Sequence, residues 1–281
     1  MINVHGSGLP QSNSNLLINP WFQINQRGQS TYSGHAYTVD RWRLVQDGGT
    51  LTTRTDGIDT VTLNNSWFSQ GLEMSGIAGQ TVTLSLECEN VTTDGMYLTD
   101  SGATAETHRD IRIRNGINTY TFTVSDVLHG VFVWGTGSFR PLRAKLELGP
   151  VSTLAYDSPP DPATELLKCQ RYYEVISSET LHTAGYHPKT LYGVDNNKCL
   201  VMQPWKATKR TTPTVIVNGA TEGQHVNFRC SQDNSRAEGS LVSWNESYLG
   251  GRTSIEISDI VSEFQPGKIY EATIIGDAEI Y

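Results

Sequence analysis

The strongest constraint on this chain is a repeated period-two alternation, cut at short intervals by turn residues. YTVDRWRLV (37–45), TVTLSLEC (81–88), INTYTFTV (117–124) and LRAKLEL (142–148) all alternate in this way. A period of two sends successive side chains to opposite faces of a strand, so each run can bury one face only. DGG (47–49), TDG (55–57), TDG (93–95) and RNG (114–116) supply turn residues between them. Short strands at this spacing, with no helix-length segment of period 3.6 among them, predict a β-sandwich or jelly roll over residues 16–149.

GPVSTLAYDSPPDP (149–162) breaks the pattern. Its prolines lack the ladder donor and exclude a central strand, so a linker is expected over 150–161. One helix follows, over about 162–178, with Asp161 as N-cap and Pro162 at the first helical position. Leu166, Cys169, Tyr173 and Ile176 recur at helical spacing and share a face. That face packs either on its own β domain or in a three-chain bundle at the neck of a trimer; so short a helix needs one or the other. From 179 to 281 the β pattern returns: KCLVMQPW (198–205), PTVIV (213–217), HVNFRC (225–230), GSLVSW (239–244), TSIEIS (253–258) and KIYEATII (268–275). The fold class expected is all-β, with a sandwich, a connecting helix and a second all-β, jelly-roll-like domain. Residues 1–15, small and polar, read as a flexible arm or attachment segment.

Composition narrows the function classes. Only 18% of residues are charged, and net charge is −8, which disfavours nucleic acid. No apolar run reaches the ~20 residues of a membrane-spanning helix, so no membrane insertion is expected. The start lacks the basic and apolar regions of a secretory signal. Cys88, Cys169, Cys199 and Cys230 show neither CxxC spacing nor a disulfide framework, which fits synthesis in a reducing cytoplasm.

Motifs for catalysis are missing. The seven histidines form no HxH, HxxxH or HExxH pattern, so no metal site is expected. There is no GxSxG elbow and no phosphate-binding glycine loop, and no cofactor is called for. Glu87, Glu89, Asp94, Asp195, Glu246 and Asp259 could supply a glycosidase pair, but none stands out in the sequence.

Six tryptophans and twelve tyrosines remain. Flat amphipathic rings beside amides and carboxylates suit the stacking of sugar faces. Trp21, Trp42 and Trp67 sit in apolar runs and read as core, and Trp134 as half-buried. Two loop clusters combine rings with polar groups. Trp244, Asn245, Glu246 and Tyr248 form one; Tyr186, His187, Tyr192, Asp195 and Asn196 form the other. These are the candidate carbohydrate-binding residues.

LLINPWFQINQRG (16–28) followed by YTVDRWRL (37–44) resembles the opening of a β-sandwich module in phage and prophage tail-fibre or receptor-binding proteins. AKLELGPVSTLAYDSPPDPATELLKCQRYYEV (144–175), PWKATKRTTPTVIV (204–217) and the closing IYEATIIGDAEIY (269–281) are similar to later segments of that family, in the same order. The resemblance implies a virion protein of the distal tail, usually a homotrimer. Its first domain would be like carbohydrate-binding jelly rolls, and its second a β head for contact with bacterial surface polysaccharide or lipopolysaccharide. The arm would dock to other virion proteins. With no room for a long shaft, the chain looks like a short tip, baseplate-attached or head-borne fibre. The shared residues Trp21, Gln26, Arg27, Gly28, Asp40, Arg41, Trp42, Gln170, Arg171 and Tyr172 read as scaffold, with Asp40 and Arg41 pairing with each other's neighbours or with Arg27, partly buried. The function expected is non-catalytic attachment to host glycan. The alternatives are a structural or adaptor virion protein and a glycan depolymerase.

Overall fold

The computed structural model describes residues 12–73, 76–93, 95–100, 111–125, 130–176, 181–182, 191–195, 198–230, 232–244, 252–262 and 269–279; within 181–204 and 242–271 it describes the backbone alone. The chain divides into two compact units, Met1–Leu166 and Leu167–Ile280. Both are β-sheet structures, in keeping with the all-β class expected, and among the described residues one α-helix, α1 (Pro162–Gln170), separates their strands in the sequence.

The first unit contains β1 (Thr31–Ser33), β2 (Ala36–Tyr37), β3 (Trp42–Val45), β4 (Gly49–Arg54), β5 (Gly57–Gly71), β6 (Thr81–Glu89), β7 (Met96–Asp100), β8 (Gly116–Thr123) and β9 (Gly130–Leu148). All its ladders are antiparallel, and β9 serves two layers. Its first half pairs with β5 on one edge and β7 on the other. Its second half, Arg140–Leu148, pairs with β6, whose far edge takes β8. The change of layer falls at Pro141, beside a register shift opposite Glu87 and Cys88. A proline and a bulge are the local means of bending a strand out of one sheet into another.

The inner faces meet in one core. Trp42 stacks on Phe68 at 5.0 Å between ring centres, with Phe22 4.9 Å from Trp42. Opposite them Leu84, Leu86, Ala144 and Leu146 project from the second layer, all buried. A gap of only about 10 Å³, lined by residues of both layers, shows how closely the faces fill.

The run 37–45 is not one strand. It breaks at a turn closed by Trp42 N–H donating to Val39 O at 3.0 Å, with Arg41 at φ +71. The turn buries the Asp40 carboxylate, which accepts from the Gln26 backbone and side chain at 3.0 and 2.5 Å and lies 3.6 Å from Arg27 Nη1. A buried carboxylate needs this compensation, so Asp40 and Arg27 are scaffold, as expected.

The outer face of the second layer is polar yet covered. Thr83, Ser85, Lys145 and Glu147 are all buried. Lys145 Nζ donates to Asp157 Oδ1 at 2.5 Å, Thr153 Oγ1 at 2.9 Å and Ser12 Oγ at 2.5 Å. Glu147 accepts from the Thr153 backbone at 2.7 Å and from the Asn13 amide at 3.0 Å. Two expected boundaries are therefore corrected. Residues 12–15 belong to the sandwich, with the Asn15 amide donating to Ala144 O and its Oδ1 accepting from Leu146 N–H; residues 1–11 of the expected arm lie outside the described residues. Residues 150–157 of the expected linker cover the sheet, with Leu154 fully buried.

The helix is also shorter than expected. Asp161 caps it, its Oδ2 accepting from Thr164 N–H at 2.8 Å, but it ends at Gln170. Tyr173–Ile176 forms a strand instead of a further turn. Aromatic and β-branched residues favour the extended ladder once a partner strand exists. Tyr173 and Ile176 thus leave the expected helical face; Cys169 is buried, Leu166 half-buried and Leu167 exposed.

The second unit contains β10 (Tyr173–Ile176), β11 (Leu181–His182), β12 (Leu191–Asp195), β13 (Lys198–Pro204), β14 (Thr214–Val217), β15 (His225–Cys230), β16 (Arg236–Trp244), β17 (Arg252–Ser262), β18 (Ile269–Glu271) and β19 (Ile274–Asp277). One sheet runs β10-β19-β14 and the other β11-β18-β15-β16-β17-β13-β12, all antiparallel. The expected strand 268–275 is split at Ala272–Thr273, one part in each sheet. Val215, Val217 and Ile274 from the smaller sheet share a core with Val226, Phe228, Ala237 and Leu241 from the larger.

Trp205 anchors this unit. Its ring lies so close over Gly276 that a Cβ there would come within 2.8 Å of it. Lys209 Nζ is 4.6 Å from the ring centre and donates to Glu174 Oε2 at 2.6 Å and Gln170 O at 2.5 Å. Both charged side chains are fully buried. Burial pushes the Lys209 ammonium below the usual lysine range, against the pull of Glu174.

Candidate functional site

Neither loop cluster singled out from the sequence can be assembled from the described residues. Tyr186, His187, Asn196, Asn245, Glu246 and Tyr248 lie outside them. Trp244 ends β16, its backbone opposite Ser254. Tyr192 lies opposite Leu200, and Asp195 opposite Lys198 at the β12–β13 hairpin. Trp244 and Tyr192 thus occupy strands three spacings apart in the order β16-β17-β13-β12.

A group of described aromatics converges elsewhere, on the outer face of the first layer of the first unit. Residues opposite one another in an antiparallel ladder share a face. Val45 is opposite Trp67, Trp67 opposite Trp134, and Trp134 opposite Tyr97. An isolated bridge adds Arg112 beside Tyr97. Two residues along, a second row runs Tyr37, Arg43, Ser69, Phe132, Thr99. The first row crosses β3, β5, β9 and β7, about 14 Å over three strand spacings; the rows are about 7 Å apart.

Alternation produces this face. Trp42, Leu44, Phe68, Val131 and Val133 point into the core, so Arg43, Val45, Trp67, Phe132 and Trp134 must point away from it. Trp67 is half-buried and faces outward, correcting its expected place in the core; the half-burial expected of Trp134 is observed. The overlooked signal is in the words WF (67–68) and VFVW (131–134). Two adjacent bulky residues in a strand cannot both face one core, and in the second the smaller aliphatics take the inside.

The rings are held against one another. Tyr97 stacks on Trp134 at 5.8 Å with planes 28° apart, and Trp67 lies 5.8 Å from Phe132. The Arg112 guanidinium lies 6.0 Å from the Tyr97 ring centre. The Tyr37 ring receives Arg27 at 5.2 Å and Arg43 at 5.9 Å. The two rows contain two arginines and no carboxylate. Further along β5 and β9 the same face turns polar, with Asn64 opposite Thr136 and Thr62 opposite Ser138. Near this edge Thr92, Thr93, Arg114 and Asn115 line an open cleft of about 340 Å³.

Such a surface can stack flat apolar faces and bond hydroxyls beside them. Among the described residues no group of three His, Cys, Asp or Glu is placed to hold a metal ion. Among the described residues no helix is long and apolar enough to cross a membrane.

No protein-family model matches the chain, and no curated protein matches it. Among solved structures it is similar to the N-terminal CBM22-1-CBM22-2 tandem domain of Xyn10C from Paenibacillus barcinonensis, at 9% identity over 98% of this chain and 93% of that one, with a TM-score of 0.29.

Proposed function

We propose that the chain is a non-catalytic saccharide-binding protein whose first unit binds glycan on the outer aromatic face. The observation that carries this is the row Trp67–Trp134–Tyr97 with Phe132 beside it, bordered by Thr62, Asn64, Thr136 and Ser138. Stacking on rings already ordered by their neighbours costs little side-chain entropy, which favours weak but geometrically selective binding. Following the resemblance to phage tail-fibre and receptor-binding proteins, we extend the proposal to attachment to bacterial surface polysaccharide or lipopolysaccharide by a trimeric virion protein. Three copies would raise weak single-site affinity through effective concentration. The loop residues Tyr186, His187, Tyr192, Asp195, Asn196, Trp244, Asn245, Glu246 and Tyr248 are a second proposed contact in the β head.

The test is a glycan array and a bacterial-envelope adsorption assay with the full chain, Trp134→Ala, Trp67→Ala and Trp244→Ala, each checked for an unchanged fold by circular dichroism. We expect loss of binding for the first two variants. Retained binding in both would remove the face from the account, and no binding by the intact chain to any envelope preparation would remove glycan attachment itself.

A further inference from the structure

We propose that this face selects glycans bearing an oxyanion, a uronate carboxylate or a sugar-linked phosphate, and that Arg43 with Ser69 forms the anion subsite. The proposal rests on saccharide binding at the face and names its ligand class. Arg43 and Ser69 are opposite one another on β3 and β5, in the row that also holds Tyr37 and Phe132. Arg43 Nε and Ser69 Oγ are both buried and both lack a hydrogen-bond partner. Ser69 is only 5% exposed. Buried polar groups are almost always satisfied, and two orphans side by side call for a ligand that supplies acceptors.

The local charge points the same way. Arg27, over the same Tyr37 ring, already has Asp40 at 3.6 Å. Arg43 has no carboxylate partner among the described residues. The nearest element partners bring Tyr37, Ser69 and Phe132 to it and no acid. In a chain of net charge −8 this is an uncompensated positive spot set among aromatic rings. A guanidinium offers a fork matched to carboxylate or phosphate oxygens, and the Ser69 hydroxyl can add a further donor. Flanking rings exclude water and strengthen the pairing.

The experiment is isothermal titration of the full chain with three probes: oligogalacturonate, its methyl ester, and a glycerol-phosphate polymer carrying sugar. Arg43→Met, Arg43→Lys and Ser69→Ala are titrated in parallel, with thermal unfolding of each. The intact chain should bind at least one charged probe and bind the methyl ester at least about tenfold more weakly. Arg43→Met should lose about tenfold or more without a lower unfolding temperature, since it also removes an orphaned buried donor. Arg43→Lys should recover part of the loss. Whichever charged probe binds identifies the oxyanion. Equal affinity for ester and acid, or full binding by Arg43→Met, overturns the anion subsite while leaving saccharide binding at the face intact. Failure of all three probes, with neutral glycans bound on the array, overturns the subsite as well; failure of both probes and array removes the binding face too.

Discussion

Replacing Glu174 with leucine should strand the Lys209 ammonium in the core of the second unit. Lys209 Nζ has three partners there: Glu174 Oε2 at 2.6 Å, Gln170 O at 2.5 Å and the Trp205 ring at 4.6 Å. Glu174 in turn accepts from Lys206 N–H at 3.1 and 3.2 Å. Breaking a buried pair from one side costs about 3–5 kcal/mol, because the remaining charge has neither water nor counter-ion. Replacing both, as Glu174→Leu with Lys209→Met, removes the charges together and leaves only Lys206 N–H and one lone pair of Gln170 O unsatisfied. An orphaned neutral group costs roughly 1–3 kcal/mol; Lys206 is exposed and its N–H can turn to water, so Gln170 O sets the cost of the double variant at about 2 kcal/mol, less than Glu174→Leu alone. Urea unfolding followed by circular dichroism reads this directly. At about 2 kcal/mol per molar, the single variant shifts the midpoint by about 2 M, and the double by about half that. A double variant as destabilised as the sum of its singles would refute the claim that the two charges are held by each other.

Three further outcomes follow from the packing. Gly276→Ala would put a Cβ 2.8 Å from a Trp205 ring that Lys209 holds in place, and should lower stability by about 1–3 kcal/mol in thermal melts. Asn15→Ala removes a donor to Ala144 O and an acceptor for Leu146 N–H; it should cost about 1–2 kcal/mol and raise amide exchange along the end of β9, whereas a silent change would return residues 12–15 to the status of an arm. Burial pushes the Cys88 thiol up to about 12 from 9.0, so the folded chain keeps a proton that the unfolded chain sheds. Its contribution to stability is complete below pH 9 and falls as pH rises towards 12. Labelling of the native chain with a thiol reagent at pH 8.5 should spare Cys88, and fast labelling there would contradict its burial.

Much of this architecture could be read from the residues because alternation, glycine turns and proline breaks are local signals. TVTLSLEC and INTYTFTV became β6 and β8 almost to the residue. The failures have long-range causes. The run 37–45 alternates through a turn because Asp40 is satisfied by Gln26 and Arg27, which are distant in sequence. Tyr173–Ile176 has a helical spacing, yet β19, nearly a hundred residues later, supplies the ladder that makes it a strand. The polar stretches 12–15 and 150–157 look like solvent-exposed chain until Lys145 and Glu147 require a cover. The candidate site was half legible. Aromatic abundance was visible, but assigning Trp67 and Trp134 to an outward row needs the register of β3, β5, β7 and β9, which composition cannot give. Arg43 and Ser69 carry no motif; only their unsatisfied burial marks them.

Hydrogen exchange on the full chain, with and without a saturating amount of a glycan found on the array, tests most directly that saccharide binds the outer face of the first unit. Protection should appear in peptides from β3, β5, β7 and β9, centred on Trp67, Tyr97 and Trp134. Protection confined to the second unit, around residues 184–196 and 244–251, with β5 and β9 unchanged, would contradict it.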